Sequence, residues 1–225
     1  MEKAISVKNL NHFYIKGDKK INSLNNVEFD VMEGEFVSFL GEDGSGKSTL
    51  LNILRGSTRP TSGVIKILNE DINLFKEYEL TYFVQSKIGY LGNEVKLLPS
   101  MTIGENVEYP LEIFGEKKAT RKLKVEETLK SVGMKDMGNN CINKLSSGER
   151  LRVELAMALV MNPKIILVDE PSYILKDGEK DKIFEMFKDI NKNKKVTFVM
   201  ASKDEGIRKI CDRVVRIDEG MIRSE

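Results

Sequence analysis

Hydrophobic and polar positions follow two kinds of pattern along this chain, one typical of strands and one typical of helices. Predominantly apolar runs at residues 36–40, 165–168 and 196–200 predict strands that are buried on both faces. Residues 5–10 alternate between apolar and polar, which predicts a half-exposed strand. Apolar residues recur at helical spacing over residues 50–54. Strands and helices therefore follow one another along the chain, and this order predicts an α/β fold.

Shorter runs and turn residues predict the remaining elements. The other predicted strands are residues 24–31, 64–68 and 87–91, with a closing hairpin at 214–218 and 221–222. The other predicted helices are residues 75–85, 117–132, 147–161, 177–191 and 205–211. Thr102 is the expected cap of one more helix. In the helix over 117–132, the expected apolar residues are Leu123, Val125, Leu129 and Val132.

The change of pattern near residue 93 predicts how the chain is organised. Residues up to 92 and from 160 onward carry most of the strand signals, whereas the stretch between them is mostly helical in pattern. We therefore expect a single domain over residues 1–225. In it, residues 1–92 and 160–225 form an α/β core with an N-terminal β lobe, and residues 93–159 form a helical subdomain that includes the helix from residue 147.

Composition excludes several classes of protein. Lys and Arg total 36 against 35 Asp and Glu, so the net charge of +1 gives no basic field for nucleic acid or anionic lipid. No run approaches the roughly 18 apolar residues of a membrane span, and residues 1–5 lack the apolar segment of a signal peptide. Cys141 and Cys211 have no C-x-x-C partner, which predicts neither a disulfide nor a zinc site and fits a reducing cytosol. His12 is the only histidine.

A glycine-rich loop follows the first buried strand and precedes the helical pattern. It matches G-x-x-x-x-G-K-[ST], and its glycines allow backbone N–H groups to approach an anion closely at a helix N-terminus. In this motif Lys47 reaches the β- and γ-phosphates of a nucleotide and Ser48 ligates Mg²⁺. The alternative is an ordinary glycine turn between a strand and a helix. The predicted nucleotide-binding residues of this phosphate loop are Gly41, Glu42, Asp43, Gly44, Ser45, Gly46, Lys47, Ser48 and Thr49.

Two further motifs lie at fixed distances from the phosphate loop. The segment 145–149 reads Leu-Ser-Ser-Gly-Glu, and the strand 165–168 ends in Asp169 and Glu170. Carboxylates at the carboxyl end of a buried strand lie where open α/β sheets bind ligands. Together, in this order, the three motifs resemble those of the ATPase subunits of ABC systems, and the similarity covers essentially the whole chain. Residues 48–54, 97–99 and 104–107 most resemble the lipoprotein-release, macrolide-export and cell-division-associated group.

That resemblance implies a fold and a set of roles. The implied fold is a P-loop NTPase, RecA-like core with an antiparallel β lobe and an inserted helical subdomain, and the implied cofactors are ATP and Mg²⁺. Tyr14 would stack on adenine, although an ordinary core tyrosine is the alternative. Asp169 would hold Mg²⁺ through water, and Glu170 would be the general base, with Lys47 also assigned to catalysis.

The segment 145–149 is implied to serve a second subunit. Ser146, Ser147 and Gly148 would open a helix whose N–H groups face the γ-phosphate of ATP held by a second copy or a paralogue. The simpler interpretation is a helix cap in which Ser146 or Ser147 accepts from the first turn. Both interpretations are compatible, because a capped helix N-terminus is also an anion site.

Four positions depart from the family pattern. The Q-loop glutamine falls on Asn93, which we expect to contact nucleotide and Mg²⁺ with a shorter side chain. Ser147 replaces a glycine, and Lys176 replaces the D-loop aspartate. Lys203 replaces the switch histidine. It is assigned to catalysis as a fixed cation that attracts a γ-phosphate but cannot relay a proton.

These observations lead to one main hypothesis about function and two alternatives. The main hypothesis is an ATP-binding and ATPase subunit that is cytoplasmic and peripheral on the inner face of the cell membrane. It would pair with a second ATP-binding subunit and act on a separate transmembrane permease-type subunit, with hydrolysis weakened by the four departures. The first alternative is a regulatory or scaffold module that dimerises on ATP with little turnover and acts through a membrane partner. A soluble ABC ATPase of DNA repair or translation is the second, and the near-neutral charge argues against it because no nucleic-acid partner is expected.

Overall fold

The computed structural model describes residues 2–92, 95–171, 175 and 178–224. The strands of this part of the chain are β1 (Lys3–Lys16), β2 (Lys19–Met32), β3 (Phe36–Leu40), β4 (Ser62–Ile67), β5 (Glu70–Asp71), β6 (Ile88–Leu91), β7 (Ile165–Asp169), β8 (Thr197–Ser202), β9 (Arg213–Asp218) and β10 (Met221–Ser224). Its α-helices are α1 (Lys47–Leu54), α2 (Glu77–Lys87), α3 (Ile103–Ile113), α4 (Lys118–Ser131), α5 (Ser147–Leu159) and α6 (Lys180–Lys194). Short 3₁₀ helices cover Ile72–Leu74, Ile142–Lys144 and Glu205–Lys209.

A six-stranded sheet forms the centre of the fold. Its strand order is β10-β9-β3-β8-β7-β6, and every neighbouring pair is parallel except β9 and β10. Leu40 at the end of β3 is paired with Ser202, and Asp169 at the end of β7 is paired with Ala201. Because parallel strands end at the same edge, the segments that follow β3, β7 and β8 lie side by side there.

A second sheet is antiparallel and has the order β2-β1-β4-β5. β1 and β2 are 14 residues each and pair along most of their length, from Lys3 with Met32 to Lys16 with Lys19. The long hairpin explains how the N-terminal residues form a lobe of their own. It carries Tyr14 near its far end, where two further residue pairs precede the turn.

The two faces of the central sheet pack into separate hydrophobic clusters. Side chains alternate along β3, so Phe36 and Leu40 belong to one cluster while Val37 and Phe39 belong to the other. The first cluster includes buried residues of α3, α4, α5 and α6. The second includes α1 and the inner residues of β1 and β2. Helices therefore cover the sheet on one face, and α1 with the antiparallel lobe covers the other.

Most of the elements predicted from the sequence are present, with shifted ends. Helix α3 begins after Thr102, which accepts a hydrogen bond from the Glu105 N–H, so the predicted cap is confirmed. Helix α5 ends at Leu159 rather than 161, and Asn162 follows with a φ of 53°. Of the four apolar residues of the predicted helix over 117–132, Val125, Leu129 and Val132 are buried, whereas Leu123 is 62% exposed.

No helix among the described residues combines the length and the apolarity needed to cross a bilayer.

Helix α5 carries a buried carboxylate. Glu154 is 7% exposed, and burial raises its pKa to about 7, while the charge of Arg150 one turn earlier acts in the opposite direction. The folded protein therefore binds a proton at Glu154 more tightly than the unfolded chain does. By linkage, the free energy of unfolding decreases as pH rises from the ordinary value of 4.5 towards 7, and the penalty is complete above that range.

Replacing Glu154 by glutamine should remove this penalty. We expect Glu154→Gln to raise the free energy of unfolding above pH 7 by up to about 3 kcal/mol, at about 1.4 kcal/mol for each unit of pKa, and to change it little at pH 4.5. Urea unfolding at pH 5 and pH 8 would measure the difference. The exposed Glu126→Gln on α4 is the matched control. Equal pH dependence in the wild type and Glu154→Gln would contradict the prediction.

Candidate functional site

The phosphate loop (residues 41–49) leaves β3 at the carboxyl edge of the central sheet and enters α1. Gly46, the N-cap of α1, has a φ of 105°, and a Cβ there would lie 2.5 Å from the Ser23 carbonyl oxygen. A Cβ on Gly41 would lie 2.2 Å from the carbonyl oxygen of Ile217. Glycine is therefore required at Gly46 by both conformation and space, and at Gly41 by space alone.

Lys47 is the first residue of α1 and is only 4% exposed. Its Nζ donates to the carbonyl oxygens of Gly41, at 2.6 Å, and Glu42, at 2.8 Å. The same Nζ lies 3.5 Å from Glu170 Oε1. The ammonium group is thus fixed inside the curve of the loop, where α1 also presents its N-terminal N–H groups. The arrangement supplies a concentrated positive site for a phosphate chain.

Ser48 and Asp169 link the phosphate loop to the end of β7. Ser48 Oγ donates to Asp169 Oδ1 over 3.1 Å, across 121 positions of sequence. The described residues contain no group of three or more His, Cys, Asp or Glu able to hold a metal by itself. Mg²⁺ typically takes one or two protein oxygens together with substrate phosphates and water, so this hydroxyl–carboxylate pair fits a magnesium ion bound together with a nucleotide.

Glu170 follows Asp169 in a left-handed backbone conformation, with a φ of 47°. Its N–H donates to the Ala201 carbonyl over 3.0 Å, and its Oε2 accepts from the Lys203 N–H over 3.3 Å. The side chain is 17% exposed. Burial raises the pKa of this carboxyl, and the nearby charge of Lys47 opposes the shift. A carboxylate whose proton affinity is raised beside a phosphate site is suited to accept a proton from water.

Lys203 follows β8 and reaches across to the phosphate loop. Its Nζ lies 3.0 Å from Asp43 Oδ2 and 3.4 Å from Oδ1. The hydrogen bond and charge of Asp43 raise the pKa of Lys203, so the amine stays protonated at neutral pH. The sequence predicted a cation here, but not its partner, because nothing in the sequence relates two positions 160 residues apart.

The segment 145–149 forms the start of α5. Ser146 is the N-cap and accepts from the Glu149 N–H, while Glu149 Oε2 accepts from the Ser146 N–H, which is a capping box. Ser147 Oγ donates to Glu179 Oε2 over 2.8 Å. A Cβ on Gly148 would lie 3.0 Å from Glu179 Oε1, so this carboxylate also borders Gly148. The cap interpretation is confirmed, and a carboxylate lies at the same helix end.

Comparison with known proteins identifies the family. A sequence model described as ABC transporter matches residues 24–173, more than half of the chain. The chain belongs to the ABC transporter family. The ABC transporter ATP-binding protein YtrE of Bacillus subtilis is 34% identical over 223 residues, which are 97% of this chain and 96% of that protein. The uncharacterized ATP-binding protein MJ0796 of Methanocaldococcus jannaschii is 37% identical over 229 residues, covering 98% and 96%.

Solved ABC cassettes have the same fold. A dimeric post-hydrolysis structure of MJ0796 bound to ADP and Pi superposes with a TM-score of 0.88 at 35% identity, covering 98% of this chain and 97% of that one. CbiO1 of Clostridium perfringens, part of the ABC transporter complex cbiONQ, superposes with a TM-score of 0.89 at 25% identity, covering 99% and 88%. The predicted P-loop NTPase fold is confirmed. The chain is an ABC-type ATPase subunit whose cofactors are ATP and Mg²⁺.

Tyr14, assigned to adenine, lies beside the phosphate loop of this ABC subunit. Its hydroxyl donates to Thr49 Oγ1 over 3.4 Å, and Ser23 Oγ lies 2.7 Å from the same atom. The ring is 40% exposed, which argues against an ordinary core tyrosine. His12 meets the ring edge-on at 4.6 Å between centroids and is 8% exposed, and burial lowers its pKa. The lowered pKa favours the neutral imidazole, whose ring packs edge-on against the ring of Tyr14.

The central sheet thus brings together the phosphate loop, Asp169, Glu170 and Lys203, and β1 of the antiparallel sheet adds Tyr14 beside Thr49. The described contacts of Ser146 and Ser147 are with Glu149 and Glu179 instead. Two of the four departures from the ABC pattern, Asn93 and Lys176, lie outside the described residues. The expected contact of Asn93 with nucleotide and Mg²⁺ stays a prediction.

Proposed function

We propose that this chain binds MgATP at a dimer seam and couples ATP binding and hydrolysis to a separate transmembrane partner. The observation that carries the proposal is the convergence of Lys47, Ser48, Asp169 and Glu170 at one edge of the central sheet. These residues come from two segments of the chain, the start of α1 and the end of β7, which lie more than 100 positions apart. A purely structural glycine turn would have no need of a carboxylate and a lysine 3.5 Å apart beside it.

Each residue has a role that follows from its chemistry. The N–H groups of the phosphate loop and Lys47 hold the phosphate chain, and Tyr14 offers its exposed ring to the base. Ser48 and Asp169 would hold Mg²⁺, which would neutralise part of the charge of the phosphate chain. Glu170 accepts the proton of the attacking water, while Lys47 and Lys203 attract the charge that develops on the phosphate.

The second subunit is proposed to use the start of α5. The N–H groups of Ser147 and Gly148, together with Ser146, would face a γ-phosphate held by a second copy or a paralogue. The dimeric MJ0796 structure bound to ADP and Pi supports this proposal. Glu179 has to leave its place beside Ser147 for a phosphate to approach, because two anions cannot share one helix end without repulsion.

The transmembrane partner is proposed to dock between the α/β core and the helical subdomain. A cavity of about 270 Å³ is bordered there by Val95, Tyr109, Phe114 and Met157. Next to it, Tyr82 stacks on Phe114 with centroids 5.6 Å apart while remaining 66% exposed. An exposed apolar surface of this kind is typical of an interaction site. The same proposal includes the division into residues 1–92 with 160–225 and residues 93–159, and a location on the inner face of the cell membrane.

Hydrolysis is proposed to be slow. Lys203 cannot accept a bond from the catalytic water or relay a proton, and Ser147 is engaged by Glu179. The shortened amide of Asn93 and the reversed charge of Lys176 are expected to add to the effect. Loss of one preorganised electrostatic group typically lowers rate by about 10²–10³.

Phosphate release and co-purification would test the proposal. We expect the isolated chain at saturating MgATP to release phosphate at a rate well below the roughly 10 s⁻¹ median turnover of enzymes. We also expect it to co-purify with a membrane protein when it is isolated from its native membrane. The complex with this membrane protein should then release phosphate faster than the isolated chain. A turnover near 10 s⁻¹ without a partner would contradict slow hydrolysis, and absence of any membrane partner would contradict the coupling.

A regulatory or scaffold role is the second candidate. The Asp43–Lys203 and Ser147–Glu179 contacts favour it, because both tie up groups that would otherwise face a γ-phosphate. ATP-dependent dimerisation without phosphate release, even with the membrane partner present, would support this candidate. This outcome would also fit the cell-division-associated members of the subgroup that residues 48–54, 97–99 and 104–107 resemble.

A further inference from the structure

We propose that Asp43 and Lys203 form an exchangeable ion pair that sets the preference of this site for ATP over ADP. In the exchange, Lys203 leaves the carboxylate of Asp43 and binds the terminal phosphate of the triphosphate. The inference rests on the proposed function of the phosphate loop as a MgATP site. Neither the sequence motif nor the family comparison assigns a role to Asp43 beyond membership of the loop.

The geometry provides the first argument. Asp43 lies in the middle of the phosphate loop, and Lys203 follows β8, the strand next to β3 in the central sheet. Their side chains meet at 3.0 Å between Nζ and Oδ2, so the pair spans the opening between the loop and the strand end. The Lys203 N–H also donates to Glu170 Oε2, which fixes the backbone of this residue next to the proposed base. The backbone of Lys203 can therefore stay in place while its side chain moves from Asp43 to the phosphate.

Exposure provides the second argument. The Asp43 side chain is 79% exposed and that of Lys203 is 45% exposed. Exposed ion pairs contribute little to stability because water and salt screen them. A terminal phosphate carries more charge than one carboxylate, so it competes well for the amine, and Asp43 can turn into water once released. A buried pair with the same geometry would instead be locked in place.

Selectivity follows from where the phosphates are held. In a G-x-x-x-x-G-K-[ST] loop the backbone cradles the α- and β-phosphates, and the lysine reaches the β- and γ-phosphates. ADP satisfies the loop without needing Lys203. Only the triphosphate offers this residue a new partner, so the cost of breaking its bond to Asp43 falls on ATP alone.

Nucleotide titrations would test the exchange. We expect Asp43→Asn to tighten MgATP binding about 3- to 10-fold and to change MgADP binding by less than twofold, each measured by calorimetry. Lys203→Met should weaken MgATP binding about threefold or more and leave MgADP binding within twofold. In the Lys203→Met background, the gain from Asp43→Asn should fall below twofold, because no amine remains to be released.

The exposed pair Lys3–Asp30, at 2.8 Å, provides the matched control. Asp30→Asn removes a similar carboxylate from the β lobe and should leave both affinities unchanged. An equal gain for ATP and ADP, no gain, or a gain that persists without Lys203 would each overturn the inference. If the wild type binds neither nucleotide, the proposed function itself fails. If the wild type binds both, and the variants have the same ratio of ATP to ADP affinity as the wild type, only the exchange is contradicted.

Discussion

Gly46→Ala is expected to weaken MgATP binding strongly and to destabilise the fold. At a φ of 105°, an alanine would adopt a conformation that costs an L-residue about 1–2 kcal/mol. Its Cβ would also lie 2.5 Å from the Ser23 carbonyl oxygen and 3.0 Å from Leu24 Cδ2, and such overpacking typically costs about 1–3 kcal/mol. Relief requires moving the start of α1, which carries Lys47. We expect MgATP affinity to fall about 100-fold, or about 2.7 kcal/mol.

Gly44→Ala separates the cost of a positive φ from the cost of a steric clash. Gly44 has a φ of 82°, but a Cβ there would meet no atom within 4 Å. Only the conformational cost of about 1–2 kcal/mol should apply, and MgATP binding should weaken much less. Urea unfolding and calorimetric titration of both variants would measure the two effects. Equal losses of affinity at both positions would show that the contact with Ser23 does not position the loop.

Glu170→Gln is expected to stop hydrolysis without stopping binding. The glutamine amide keeps the shape of the side chain but cannot accept a proton from water. Removal of a general base typically lowers rate by about 10²–10⁴. We expect phosphate release to fall within that range and MgATP affinity to stay within about threefold.

Glu185→Gln on the exposed side of α6 is the control for this loss. It removes a carboxylate of the same type and should leave phosphate release unchanged. ATP-dependent dimers should also accumulate in Glu170→Gln if hydrolysis is what separates two subunits. Turnover in Glu170→Gln equal to that of the wild type would assign the base to another residue.

The sequence was sufficient to predict the arrangement of β3, the phosphate loop and α1. Their signals are local, since a buried apolar run, positive-φ glycines and helical spacing lie within one short stretch. The motif at Asp169 and Glu170 was equally visible, because four apolar residues precede it. Parallel pairing then brings both segments to one edge of the sheet. The strand order itself was not predicted, because no local signal determines which strands become neighbours.

Side-chain partners between distant loops were missed. Lys203 was recognised as a cation in an unusual place, but its bond to Asp43 depends on the paths of two loops 160 positions apart. The contact of Ser147 with Glu179 is similar, because Glu179 lies in residues 177–191, for which the sequence predicted only a helix. The sequence also did not show that Leu123 is exposed, because its helix carries few apolar residues and they determine the orientation of the buried face only weakly.

The central claim is that the phosphate loop between β3 and α1 binds a nucleoside triphosphate together with Mg²⁺. Calorimetric titration of the purified chain with ATP, in the presence and absence of Mg²⁺, tests it most directly. We expect saturable binding of one nucleotide per chain that weakens when Mg²⁺ is removed and is about 100-fold weaker in Gly46→Ala. No saturable binding, or binding of equal strength in Gly46→Ala, would contradict the account.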